Sequence, residues 1–223
     1  MVSGGIGLKA VVFDMDGVLF DTESVGFAAW DYACKKLGIA PASGLAYKTL
    51  GMNAAAVDGI LKEYYGENFE LEAFHRLCRE YTYTYFAENG VPQKPYVHDA
   101  LNALKNSGFQ IALASSTGKT GVLRNLESAG ITGYFEAVIS GDMTERSKPA
   151  PDIYLKAAEA LGVPARSCFA VEDSRNGILS AHGAGMKVIM VPDLWQGDKE
   201  TDGLLFAKCE NLKAAADMIM KAL

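Results

Sequence analysis

A doubly wound parallel Rossmann-like α/β sheet carrying an inserted α-helical cap is the fold that the sequence predicts. Three observations carry it. From residue 97 onward, apolar strand-like runs alternate with amphipathic helical patterns. Acids, hydroxyls and a lysine follow one strand after another, where an open parallel sheet forms its ligand crevice. A long helical stretch separates the first strand from all the others.

The first strand is Val11-Val12-Phe13, three β-branched or aromatic residues that argue a buried strand. A helical pattern follows: Ala29, Trp30, Ala33, Cys34 and Leu37 share a face, and Gly38 is a helix stop. Val57, Ile60, Leu61 and Tyr64 define a second helix ending near Gly66, and Leu71, Phe74, Cys78, Tyr81 and Tyr85 a third. Tyr81–Tyr85 also alternates with strand period, but the helical register already runs from Leu71. Pro92-Gln93-Lys94-Pro95 reads as a linker. The later strands are Phe109–Ala114, Ala137–Ser140, Cys168–Glu172 and Lys187–Val191. The helices between them carry Val97, Ala100, Leu101 and Leu104; then Val122, Leu123 and Leu126; then Tyr154, Ala157, Ala158 and Leu161. Gly108, Gly130 and Gly162 follow these helices as left-handed caps. The organisation is therefore a core of residues 1–20 plus 92–223, a helical cap at 22–90, and hinges near 20–23 and 90–96.

The bulk properties narrow the partners. With 223 residues the chain fits one large domain or a domain with an insertion. A net charge of −6 disfavours a broad nucleic-acid or anionic-membrane surface, yet leaves room for a small basic pocket. Cys34, Cys78, Cys168 and Cys209 are far apart, so they show neither zinc spacing nor a disulfide framework. No apolar run reaches membrane length, and Met1–Gly7 lacks the basic start and apolar stretch of a signal peptide. Reduced thiols and the missing leader point to the cytoplasm. Neither nucleic acid nor a membrane is expected as a partner, and no oligomeric state is assigned.

The strand ends carry the chemistry. Asp14 and Asp16 step off the first strand, an arrangement that needs a cation, a shared proton or open water. Ser115-Ser116-Thr117-Gly118 follows the second strand and leads into a helix, whose N–H groups with Ser115 can hold phosphate oxygens. Lys148 follows the third and can neutralise phosphoryl charge, with Pro149 and Pro151 stiffening its loop. Glu172 and Asp173 follow the fourth and complete an oxygen shell suited to magnesium. Asp21 reads as a hinge or capping residue, with Thr22 and Glu23 opening the first cap helix, and Asp152 reads as a helix start.

Asp14-x-Asp16-Gly17-Val18, Ser115, Lys148 and Glu172-Asp173, in this order and spacing, resemble the four motifs of the haloacid dehalogenase superfamily. The similarity is to the branch of β-phosphoglucomutases and small sugar-phosphate phosphatases. It extends over nearly the whole chain, the helical block matching the family's cap. The resemblance implies that Asp14 attacks phosphorus and forms an aspartyl-phosphate. Asp16 would protonate the leaving alcohol and then activate water. Gly17, Ser115, Ser116 and Lys148 would join Asp14 in holding the phosphoryl group. Magnesium would bind the Asp14 carboxylate, the Asp16 main-chain carbonyl and Asp173, with Glu172 direct or through water.

Other patterns mislead. Thr117-Gly118-Lys119-Thr120 looks like the end of a P-loop, but the first glycine it requires is Leu113. His75, His98 and His182 are scattered. Trp30 reads first as packing, with a substrate contact as the lesser reading.

Asp16 argues against dehalogenases and phosphonatases, which lack an acid there. β-Phosphoglucomutase-like sequences carry a histidine early in the cap, where this chain has Gly26. Within Thr49–Ala54 they carry basic residues where this chain has Leu50 and Ala54. No second anion site is evident, so hydrolysis of a sugar or polyol phosphate is expected over mutase chemistry. A non-catalytic phosphoryl-binding module like a receiver domain is the reading from another class; the cap and Asp16 speak against it.

Overall fold

The computed structural model describes residues 10–41, 43–50, 52 and 54–222. Met1–Gly7, and Gly51 and Asn53 in the stretch compared with the mutase pattern, lie outside the described residues.

Strand β1 (Ala10–Phe13) is followed by α1 (Thr22–Leu37), α2 (Ser43–Lys48), α3 (Ala54–Tyr65) and α4 (Leu71–Asn89). The alternating part then runs α5 (Val97–Asn106), β2 (Gln110–Ser115), α6 (Lys119–Ser128), β3 (Ala137–Ser140), α7 (Asp152–Ala160), β4 (Cys168–Glu172) and α8 (Arg175–Gly183). It ends with β5 (Lys187–Met190), α9 (Lys199–Asp202), β6 (Ala207–Lys208) and α10 (Leu212–Lys221). The sheet is parallel throughout, in the order β3-β2-β1-β4-β5-β6.

Both faces of this sheet are covered, which explains why β1 is apolar without interruption. Val11 and Phe13 face a core built with Leu101 and Leu104 of α5, Leu126 of α6 and Ile219 of α10. Ala10 and Val12 face the opposite core, with Ile153 and Tyr154 of α7 and Ile178 of α8. Parallel register keeps neighbours on the same face: Val11 pairs with Ile111 and Phe169, Val12 with Ala112 and Ala170. Full burial of each large apolar side chain contributes about 1.5–3 kcal/mol. These two layers fix where the strands end.

Helices α1, α3 and α4 gather a separate cluster around Ala33, Cys34, Leu61, Phe74 and Leu77. Tyr81–Tyr85 is helical, inside α4. Phe74 and Leu77 earlier on this helix are buried in that cluster, and the ring of Tyr81 meets that of Tyr32 on α1 at 5.4 Å. Gly38, Gly108, Gly130 and Gly162 end their helices at φ of 67, 79, 67 and 69°. The structure adds α2, α8, α9, α10 and β6 to the elements read from the sequence. Most are short, and β6 pairs only with β5 at the sheet edge.

The segments that lead into and out of the helical block lie side by side. Asp21 N–H donates to Pro92 O, Lys94 N–H donates to Leu19 O, and Phe20 bridges Gln93 antiparallel. Asp21 stands at the N-cap position of α1 without a side-chain capping bond; its carboxylate lies 3.5 Å from Lys94 Nζ. Asp152 begins α7 and receives both Nε and NH2 of Arg146 at 3.0 and 2.9 Å.

Candidate active site

Strand β1 runs between β2 and β4, so the chain turns to one side after β1 and to the other at β4. Ligands bind at such a reversal, beyond the carboxyl ends of the strands. The structure gathers Asp14, Asp16, Ser116, Thr117, Lys148 and Asp173 there, around a cavity of about 430 Å³. Its opposite wall comes from the helical block: Glu23, Gly26, Phe27, Trp30, Thr49, Leu50, Met52 and Ala54.

Lys148 is almost wholly buried, and its ammonium donates to Asp14 Oδ1 at 2.5 Å and Glu172 Oε1 at 2.6 Å. Ala114 O accepts from it at 3.2 Å. Burial alone would lower the Lys148 pKa, but Asp14 and Glu172 together hold it above its ordinary value. The lysine stays charged while held against Asp14.

Glu172 is fully buried with both oxygens taken. Oε1 accepts from Lys148 and from the Tyr154 hydroxyl at 2.6 Å. Oε2 accepts from the N–H groups of Asp173 and Ser174 and from Ser174 Oγ, at 3.1, 3.3 and 3.2 Å. Gly177, in the first turn of α8, lets that helix start against this carboxylate; a Cβ there would run into it. Gly17 plays the same part for Asp173, with φ at 82° and a Cβ position that the Asp173 carboxylate occupies.

Asp16 is held by hydroxyls. Thr22 Oγ1 donates to Oδ1 at 2.5 Å; Thr117 and Ser115 donate to Oδ2 at 2.8 and 3.2 Å. Ser115 is fully buried and also accepts the N–H of Thr117, so Ser116, Thr117 and Gly118 are its neighbours that line the cavity. Part of the α6 N-terminus is already engaged: Asp142 accepts the Lys119 N–H at 3.2 Å. The decoy Thr117 thus acts on Asp16. Tyr154, which reads as a core position, reaches Glu172, and Trp30 both packs edge-on against Phe74 and lines the cavity.

The donors suit a hard divalent cation. Asp14, Glu172 and Asp173 bring carboxylate oxygens within 4.8 Å of one another. Asp173 is 3% exposed, and its Oδ1 is buried without a hydrogen-bond partner. Oxygen donors with an orphaned carboxylate are what hard divalent cations take. The same acidity raises pKa values. Burial pushes Asp14 up to about 8 against the pull of Lys148. Burial pushes Glu23 up to about 9, with Asp16 and Asp193 adding to it, and Asp173 rises well above its ordinary range for the same reason.

A pH dependence follows. The unfolded carboxyls titrate near 3.8 and 4.5, so from there up to about 8 and 9 the folded chain holds protons that the unfolded chain releases. Stability is full below the lower values and is lost as pH rises through the upper ones. In EDTA the melting temperature should fall steadily between roughly pH 5 and 9. Magnesium should flatten that slope, and a slope unchanged by metal would contradict it.

A buried lysine and a group of carboxylates with an orphaned oxygen, at one cavity beyond the strand ends of a parallel sheet, suit the handling of an anion beside a cation. The sequence matches the haloacid dehalogenase-like hydrolase family over residues 11–191. A phosphorylated carbohydrates phosphatase of Thermotoga maritima is 32% identical over 182 residues, covering 82% of this chain and 84% of that one. A β-phosphoglucomutase of Bacillus subtilis is 30% identical over 191 residues, covering 82% and 83%. The crystal structure of CbbY from Rhodobacter sphaeroides in complex with phosphate superposes with a TM-score of 0.77 at 25% identity, covering 92% and 95%. The chain belongs to the haloacid dehalogenase-like hydrolases, as a phosphatase of their β-phosphoglucomutase-like branch. Among the described residues no helix is long and apolar enough to cross a membrane.

Proposed function

We propose that the chain is a magnesium-dependent phosphomonoester hydrolase acting on a small sugar or polyol phosphate. The observation that carries this is the cavity lining. Lys148 is the one basic side chain on its wall among the described residues, and Gly26, Leu50 and Ala54 stand on the opposite side. One phosphate is gripped and a second is not. An adjoining cavity of about 200 Å³ is lined by Lys48 and Arg175, but Arg175 is drawn to Glu200 at 2.5 Å and Asp198 at 3.6 Å.

Asp14 attacks phosphorus in line and carries the phosphoryl group as an aspartyl-phosphate, releasing the alcohol. Asp16 gives its proton to the leaving oxygen and takes one from the water that then attacks the acyl phosphate, releasing inorganic phosphate and restoring Asp14. Lys148, fixed by Glu172, balances charge on the equatorial oxygens, with Ser116 to Gly118 on the cavity wall completing the cradle, while Ser115 acts through Asp16 and Gly17 through Asp173. Magnesium, held by Asp14, Asp173 and the Asp16 carbonyl, would supply charge neutralisation between nucleophile and phosphoryl oxygens. Glu172 would act on that ion from outside its direct ligands, since protein donors engage both of its oxygens.

The decisive assay follows phosphate release from a panel of sugar and polyol monophosphates with magnesium. Conversion of β-glucose 1-phosphate to glucose 6-phosphate faster than release of phosphate would favour the mutase reading instead.

We read α1–α4 as a cap that turns on the paired segments at 20–23 and 90–96. Solution scattering with a phosphate mimic should show a smaller radius of gyration than without it. Identical profiles would count against a moving cap.

A further inference from the structure

We infer that Glu23 and Asp193 form the outer wall of the metal centre, so that the helical block as well as the sheet encloses the cation. This rests on the metal-dependent reading above. Glu23, Asp173 and Asp193 bring carboxylate oxygens within 4.8 Å of one another. Each carries one buried oxygen with no hydrogen-bond partner: Glu23 Oε2, Asp173 Oδ1 and Asp193 Oδ2. Three orphaned acceptors at one place call for a positive charge or for the donors of ordered water.

The side-chain partners point the same way. Glu172 has every oxygen engaged by protein donors. Lys94 takes Asp193 Oδ1 at 2.5 Å and leaves Oδ2 open. One ammonium therefore contacts a group of three acids. Asp173 belongs to this group and to the group of Asp14 and Glu172. A cation at Asp173 thus meets Asp14 on its inner side and Glu23 and Asp193 on its outer side, as ligands or as acceptors for its waters.

Asp173 and Asp193 follow strands of the sheet, whereas Glu23 stands in the first turn of α1. Metal affinity and the docking of α1 are consequently linked, each favouring the other by the same factor.

The test uses the full chain stripped with EDTA. Magnesium and manganese binding would be measured by calorimetry on wild type, Glu23→Gln and Asp193→Asn, with melting curves and Trp30 fluorescence alongside. Wild type should bind metal, and each variant should bind it roughly 10–100-fold more weakly. Metal-free Glu23→Gln should melt no lower than wild type, because it removes a buried carboxyl oxygen that has no hydrogen-bond partner, and should gain less from magnesium. Variants that bind metal as tightly as wild type would overturn the inference and leave the metal reading intact. A metal-free Glu23→Gln chain that melts well below wild type would assign the residue a structural role and overturn it too. A wild type that binds no metal would overturn both.

Discussion

Replacing Asp14 with Asn removes phosphatase activity by roughly 10⁴-fold or more, the scale of losing a covalent nucleophile. The amide preserves the shape and can still approach Lys148, so folding survives while attack on phosphorus does not. The expected signature is specific: no burst of alcohol release and no acid-stable label trapped on the protein. Phosphate binding persists, because Lys148 and the loop after β2 remain. Asp16→Asn should differ, since Asp14 still attacks but the leaving oxygen receives no proton. Its rate should recover selectively with substrates whose leaving groups are good without protonation, such as nitrophenol. A residual rate equal to wild type in Asp14→Asn would leave only a binding role for the site.

Lys148→Met carries the largest expected loss of stability. Lys148 and Glu172 are both inaccessible, and the ammonium satisfies Asp14 and Glu172 together. Removing one member of such a buried group leaves carboxylates unpaired, a loss of about 3–5 kcal/mol. Chemical denaturation at neutral pH should report it as a lower midpoint with an unchanged slope. Adding Glu172→Gln to Lys148→Met should restore part of the loss, because the amide oxygen can still accept the Asp173 and Ser174 N–H groups while its NH2 donates to the Tyr154 hydroxyl. A coupling of about 0.5–3 kcal/mol is expected for residues in one network. Strict additivity would mean that the contacts of 2.5 and 2.6 Å contribute nothing to folding.

The sheet was legible because its strands are apolar on both faces and its loops are not. Val11, Val12 and Phe13 announce β1 by composition alone, and an unbroken apolar run is what a strand covered on both faces requires. Asp14, Lys148 and Asp173 were legible for a related reason: charge beside a buried strand end needs a chemical account. Tyr154 was not, because its ring satisfies the apolar face of α7 and its hydroxyl leaves no trace in the periodicity. Thr117 and Glu23 were hidden differently. Their partners lie far along the chain or on other elements, as with Thr117 and Asp16, so local pattern carries no sign of the contact. The helices α8 and α10 have the period but follow motif or edge segments that draw attention elsewhere.

The pairing of Phe20 with Gln93 has a consequence for how this chemistry could diversify. At the sheet, the whole run of residues between them begins and ends within one ribbon, as a tight hairpin does. Loop closure is settled by the ribbon's own hydrogen bonds, and lengthening what lies beyond it adds little entropy. Remodelling α1–α4 leaves the course of β1 alone, provided that Thr22 at the start of α1 still meets Asp16. The strand ends that carry the acids and the helices that face them across the cavity are therefore separate stretches of the gene, free to change at different rates.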